Sequence, residues 1–226
     1  MTVANSPRRV PLWALKLMMS ITGLIGLGFV LVHLLGNLKV YGGAAGFDTY
    51  AHWLREVGYP LIPHQGVLWA LRVVLVVCLL VHVAAALALS AQAHRAPRRG
   101  IRMWAASAML PTGLLILAFV VLHLADLTVG ASPGASATFV HPADGGSPYA
   151  NLVASFARPW AAAAYVGTML ALAAHVWHGT LLAANDLGAT GARTRRVAAW
   201  VGGLAAVAIL LGNAGIPLAV QMGALR

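Results

Sequence analysis

Charge is what this sequence lacks. Only 9% of its residues are charged, with five acids among 226 residues, against 60% hydrophobic. A water-soluble domain of this size covers its surface with roughly a quarter charged residues. A soluble globular fold is therefore excluded, and the chain belongs in a membrane. Acids are so scarce that fifteen Lys and Arg leave a net charge of +10. In a nucleic-acid binder such an excess forms basic stripes on a soluble fold. Here the cations fall between long apolar runs, and their natural counter-charge is the lipid headgroup. Cysteine is nearly absent: Cys78 stands alone, which rules out an internal disulfide and an iron–sulfur cluster, a group that takes about four thiolates. Redox chemistry in this chain needs other ligands, and nine histidines are the available stock.

A helix crossing the roughly 30 Å hydrocarbon layer needs about 20 apolar residues. Five windows qualify, at 12–38, 66–91, 103–128, 158–184 and 197–220, which predicts an all-α membrane protein with a single domain over residues 1–226. Breakers occupy the connections: Gly42, Gly43 and Gly46, then Pro97, then Pro133, Pro142 and Pro148. The first run is too long for the apolar region of a secretory signal, and four more spans follow it. Arg8 and Arg9 read as an anchor rather than a twin-arginine export signal. Cytoplasmic loops are enriched in Lys and Arg. One side collects ten cations (Arg8, Arg9, Lys16, Arg95, Arg98, Arg99, Arg102, Arg193, Arg195, Arg196) and the other five (Lys39, Arg55, Arg72, Arg158, Arg226). This asymmetry predicts a cytoplasmic N-terminus and an external C-terminus.

Ionisable groups inside a membrane are costly and mark function. Four of the five spans carry histidine: His33, His82, His123, and His175 with His178. A lone intramembrane histidine is satisfied by a neighbouring backbone or hydroxyl; four in consecutive spans ask for another account. His33 lies 17 residues beyond Lys16 and His123 lies 21 beyond Arg102, near the outer ends of ascending helices. His82 stands 12 residues before His94 and His175 11 before Asp186, on descending helices. At about 1.5 Å per residue the histidines sort by depth into His33 with His123 and His82 with His175. Two imidazoles at one height on facing helices are what a six-coordinate haem iron requires. Small residues near them leave room for a ring: Gly26 and Gly36 by His33, Ala85 and Ala86 by His82, Ala171 and Gly179 by His175. Zinc or copper fits less well, because tetrahedral sites gather ligands at one point and usually include Cys or carboxylate. Spacing alone leaves His175 and His178 both open, since they share a face.

Five segments carry a family resemblance: GFVLVHLLGNLKVYGG at 28–43, YAHWLRE at 50–56, LWALRVVLVVCLLVH at 68–82, LLILAFVVLHLADLT at 114–128 and AAHVWHGTLLAANDLG at 173–188. Together they resemble the di-haem cytochrome b membrane anchor of succinate:menaquinone oxidoreductases, in its single-chain, five-helix form. The resemblance implies two haems b, with ligands on the first four helices paired first with third and second with fourth. It favours His175, which stands four residues before Gly179. It also implies a bacterial plasma membrane, a cytoplasmic flavoprotein partner that oxidises succinate, and an iron–sulfur subunit docked on the inner face. The basic inner loops at Arg95–Arg102 and Arg193–Arg196 are candidates for that docking.

Menaquinone would meet the chain at an interface near a proton donor. On the outer side His52, Glu56 and His64 fall near Arg55 and Arg72; Glu56 is the one acid near the place where the family has a quinol-linked carboxylate. Ser20 and Arg102 are inner candidates. The leading expectation is thus an electron path from an iron–sulfur partner through two haems to menaquinone. The alternatives are the same anchor in a fumarate reductase, a histidine-lined transporter for haem or metal, and a haem-free structural anchor.

Overall fold

The computed structural model describes residues 10–93 and 103–226. Arg8, Arg9, His94, Arg95, Arg98, Arg99 and Arg102 lie outside the described residues, and with them part of the charge asymmetry. The protein is 81% helical, and among the described residues there is no strand. Its helices are α1 (Leu12–Asn37), α2 (Gly43–Glu56), α3 (Gly66–Ala93), α4 (Met103–Leu124), α5 (Pro148–Phe156), α6 (Pro159–Asp186) and α7 (Ala192–Gln221). Five of them, all but α2 and α5, anchor segments long and apolar enough to span a bilayer. In hydrocarbon every backbone polar group must be satisfied within the segment, which is why such runs become helices. Their apolar side chains stay exposed on the outside of the bundle, as Val76, Leu80, Val121 and Leu204 do. Trp13 and Trp200 are exposed at one end and Trp53, Trp69 and Trp160 at the other, the placement of aromatic belts at the two membrane interfaces.

We call upper the end that bears α2 and α5. At the lower end Lys16 Nζ reaches Asp186 Oδ1 at 3.1 Å, pinning α1 to α6. Helix α6 packs against α7, α4 and α1, and α1 packs against α3, whereas α3 and α4 barely touch. The α1–α3 and α4–α6 hairpins therefore meet mainly through α1 and α6. Helix α7 backs this seam: Ile209 and Ala214 join Met169 of α6 in a buried cluster, with Leu27, Val30 and Leu31 of α1 against it. Close approach needs small residues. A side chain at Gly212 would strike Leu34, and one at Gly202 would press on Thr180.

Two boundaries differ from the windows read in the sequence. Helix α7 starts at Ala192 rather than 197, because Arg193, Arg195 and Arg196 continue the helix beyond its apolar run. The third span ends as an α-helix at Leu124 and proceeds through a π-helical turn, Ala125–Val129, closed by Gly130 at φ 76°. That wider turn leaves Asp126 buried inside the protein. Above it, Ser147 caps α5 by accepting from the Ala150 N–H at 3.0 Å, with Pro148 in the first turn. Asp48 of α2 accepts from the Ser147 hydroxyl and the Tyr149 N–H, tying α2 to α5.

Candidate functional site

The structure brings His33 together with His123 and His82 together with His175. Their ring centroids are 6.0 Å and 6.4 Å apart, with the rings inclined at 79° and 61°. Two imidazoles on opposite faces of one iron, each about 2.0 Å from the metal and with its centroid about 1.1 Å behind the nitrogen, place the centroids about 6 Å apart. Both pairs have that spacing.

The second nitrogen of three of these rings is already engaged, and the partners fix which nitrogen is free. The Thr22 hydroxyl donates to Met18 O at 2.7 Å. Its oxygen and Met19 O lie 3.2 and 3.1 Å from His82 Nδ1. A carbonyl only accepts, so Nδ1 carries the hydrogen and Nε2 keeps its lone pair. The Thr112 hydroxyl donates to Ala108 O at 2.7 Å, so at 3.1 Å it accepts from His175 Nδ1. The Tyr165 hydroxyl donates to Asp126 Oδ2 at 3.0 Å and therefore accepts from His123 Nδ1 at 3.2 Å. Metal-binding histidines commonly donate their other N–H in this way, which sets tautomer and ring orientation. Among the described residues no three of His, Cys, Asp and Glu gather as a metal-ion site. The donors are two imidazole pairs, a set that would suit a haem and does not suit a tetrahedral ion.

An internal repeat underlies the geometry. The segments TGLIGLGFVLVHL at 22–34 and TGLLILAFVVLHL at 112–124 match at eight of thirteen positions, including Thr, Gly, Phe and His. The repeat is structural too: Phe29 stacks on His33 and Phe119 on His123, at 5.4 and 5.9 Å. Gly23 lies against His82, where an added Cβ would sit 3.1 Å from Cε1, and Gly113 lies against His175 at 3.4 Å. Each histidine pair thus takes one ring from each hairpin. Thr22 and Thr112 are not among the residues that the spacing of the histidines picks out; the repeat is the sequence signal that can find them. Tyr165, beside His123, precedes His175 by ten residues on α6, so the two pairs are about 15 Å apart along the helix axis.

Open space faces Gly26, as expected beside His33, but Gly36 is filled by the Tyr50 hydroxyl and Gly179 meets Met109. His178 makes neither pair; its Nε2 is buried without a hydrogen-bond partner among the described residues, and so is the Ser20 hydroxyl. The outer cluster expected from the sequence divides in two. Glu56 pairs with His64 Nδ1 at 3.0 Å, and Tyr59 stacks on His64. His52 instead lines a separate cleft of about 310 Å³ with Asp48, Arg55, Gly145 and Ser147. Arg72 is exposed and lies over the Trp69 ring. Comparison with protein-family models, curated proteins and solved structures gave no match.

Proposed function

We propose that this chain is the membrane anchor and electron-transfer subunit of a succinate:menaquinone oxidoreductase, with His33 and His123 holding one haem b and His82 and His175 a second. The observation that carries this reading is the pair of histidine couples, each at bis-imidazole spacing and with Nδ1 committed on three of the four rings. The sequence resemblance supplies the reaction. When bound, the two haems supply one-electron carriers at two depths of the bilayer. Thr22, Met19 and Thr112 hold the lower imidazoles in one tautomer and one rotation. Among the described residues the lower rings hydrogen-bond only uncharged oxygens, and a cytoplasmic iron–sulfur subunit would approach from below, facing Arg193, Arg195 and Arg196. A flavoprotein beyond it would oxidise succinate. Menaquinone would meet the upper surface, where the Glu56–His64 pair can hold and release a proton, His52 offers another, and Arg72 can bind an anionic group. The same device would serve fumarate reduction with the electrons reversed.

Reduced-minus-oxidised absorbance of the purified complex, with a gel of co-purifying subunits, tests this. Two low-spin b haems per chain and two soluble partners are expected. A single labile ligand site with no partner would favour a haem or metal transporter instead, and a haem-free complex would favour a structural anchor.

A further inference from the structure

Among the described residues one candidate ligand is wired to a charge and the others are not. His123 Nδ1 donates to the Tyr165 hydroxyl, which donates to Asp126 Oδ2. Asp126 is 1% exposed. Arg158 Nη2 meets its Oδ1 at 2.8 Å, and the Ser155 hydroxyl bonds its Oδ2. Arg158 is itself held by Gly134 O at 2.8 Å and Ser155 O at 3.2 Å, and it lies over the Trp160 ring. The π turn after His123 brings the carboxylate into this clamp. The internal repeat supplies the control. Three residues after His33 stands Gly36 where the second hairpin has Asp126, and ten residues before His82 stands Arg72 where it has Tyr165. Among the described residues nothing hydrogen-bonds His33, and the lower rings donate only to uncharged oxygens.

A carboxylate polarises the phenol that donates to it, and that phenol becomes a stronger acceptor for the imidazole N–H. Electron density shifts toward Nε2 and makes the ring a better donor to a metal, which favours the oxidised metal. We infer that the Asp126–Tyr165 pair is a tuning element that lowers the reduction potential of the haem held by His33 and His123, leaving the lower haem untouched. This inference rests on the haem reading above and adds residues to it. Asp126 and Tyr165 act through His123, so they are positioning residues.

The test is an equilibrium redox titration of haem absorbance in the full purified complex, with electron paramagnetic resonance of the oxidised form. The haem lost on His123→Ala identifies the upper one. In Tyr165→Phe both haems should stay bound, and the upper one should become about tenfold easier to reduce, which is 59 mV for one electron. Its g values should shift, and the lower haem should not change. Asp126→Asn should move the upper haem in the same direction. An upper potential unmoved in both variants overturns the inference, and so does an equal shift of both haems, which would mark a general structural change. Should Tyr165→Phe fail to hold the upper haem, Ser155→Ala carries the test: it removes the donor that competes with Tyr165 for Asp126 Oδ2, so a fall in potential confined to the upper haem supports the inference, and no shift or a rise overturns it. A wild-type complex without haem would overturn the underlying reading, a result distinct from haems present with unmoved potentials.

Discussion

If electrons climb from the lower histidine pair to the upper one, the reaction must respond to the membrane potential. The two levels are about 15 Å apart along α6, from His175 to Tyr165 beside His123. That is roughly half of the 30 Å hydrocarbon layer. A full crossing is worth about 2.3 kcal/mol per charge for each 100 mV, so this step is worth about 1.2 kcal/mol per electron. Two electrons gain about 2.3 kcal/mol, close to a 50-fold shift in equilibrium. In the orientation proposed from the charge asymmetry, with a cytoplasmic N-terminus, the movement would be toward the positive side and downhill. By the family resemblance menaquinone is a weak acceptor for succinate's electrons, so in the proposed function this gain would drive the reaction forward. The assay compares succinate-to-menaquinone turnover in intact cells with turnover to an artificial acceptor at the soluble subunits, before and after an uncoupler. The first should collapse and the second persist. An equal response of the two assays would refute an upper quinone site.

The threonines beneath the lower pair should differ in importance. Thr112→Val removes the acceptor of His175 Nδ1, whereas Thr22→Val leaves Met19 O for His82. Haem retention on dilution should fall by about 10- to 100-fold in the first variant and by less in the second; equal retention in all three proteins would contradict the proposed tautomers. Arg158→Met should leave the Asp126 carboxylate buried without its cation and destabilise the protein by about 3–5 kcal/mol, seen as a lower melting temperature in detergent. An unchanged melt would mean that the ion pair is energetically neutral. Glu56→Gln should cut the quinone-linked rate by roughly 100-fold while sparing the artificial-acceptor rate, and an unaffected rate would remove Glu56 from proton transfer.

The sequence made the spans legible because a bilayer admits few solutions: long apolar runs become helices, and their ends follow from where polarity resumes. Depth was legible for the same reason, since rise per residue is fixed, and depth alone grouped His33 with His123 and His82 with His175. What depth cannot give is rotation about the helix axis. Thr22 and Thr112 read as ordinary small polar residues until rotation turns them toward the imidazoles. The Tyr165–Asp126–Arg158 chain was hidden further, because the π turn changes the angular register after His123, and an α-helical reading places Asp126 elsewhere. The upper cluster also divided for a local reason. Glu56 ends α2, and the chain reverses so tightly that the Gln65 N–H bonds Arg55 O at 2.7 Å. His64 returns to Glu56, while His52, one turn earlier, faces the loop before α5.

The proposed function requires four histidines to hold two haems in the pairs that the geometry defines. Haem content and reduced absorbance, measured in single alanine variants of His33, His82, His123, His175 and His178, test it most directly. His82→Ala and His175→Ala should each abolish the same haem signal, His33→Ala and His123→Ala the other, and His178→Ala neither. Loss of both signals only with His178→Ala, a pairing of His33 with His82, or a wild-type protein holding one haem or none would contradict the account.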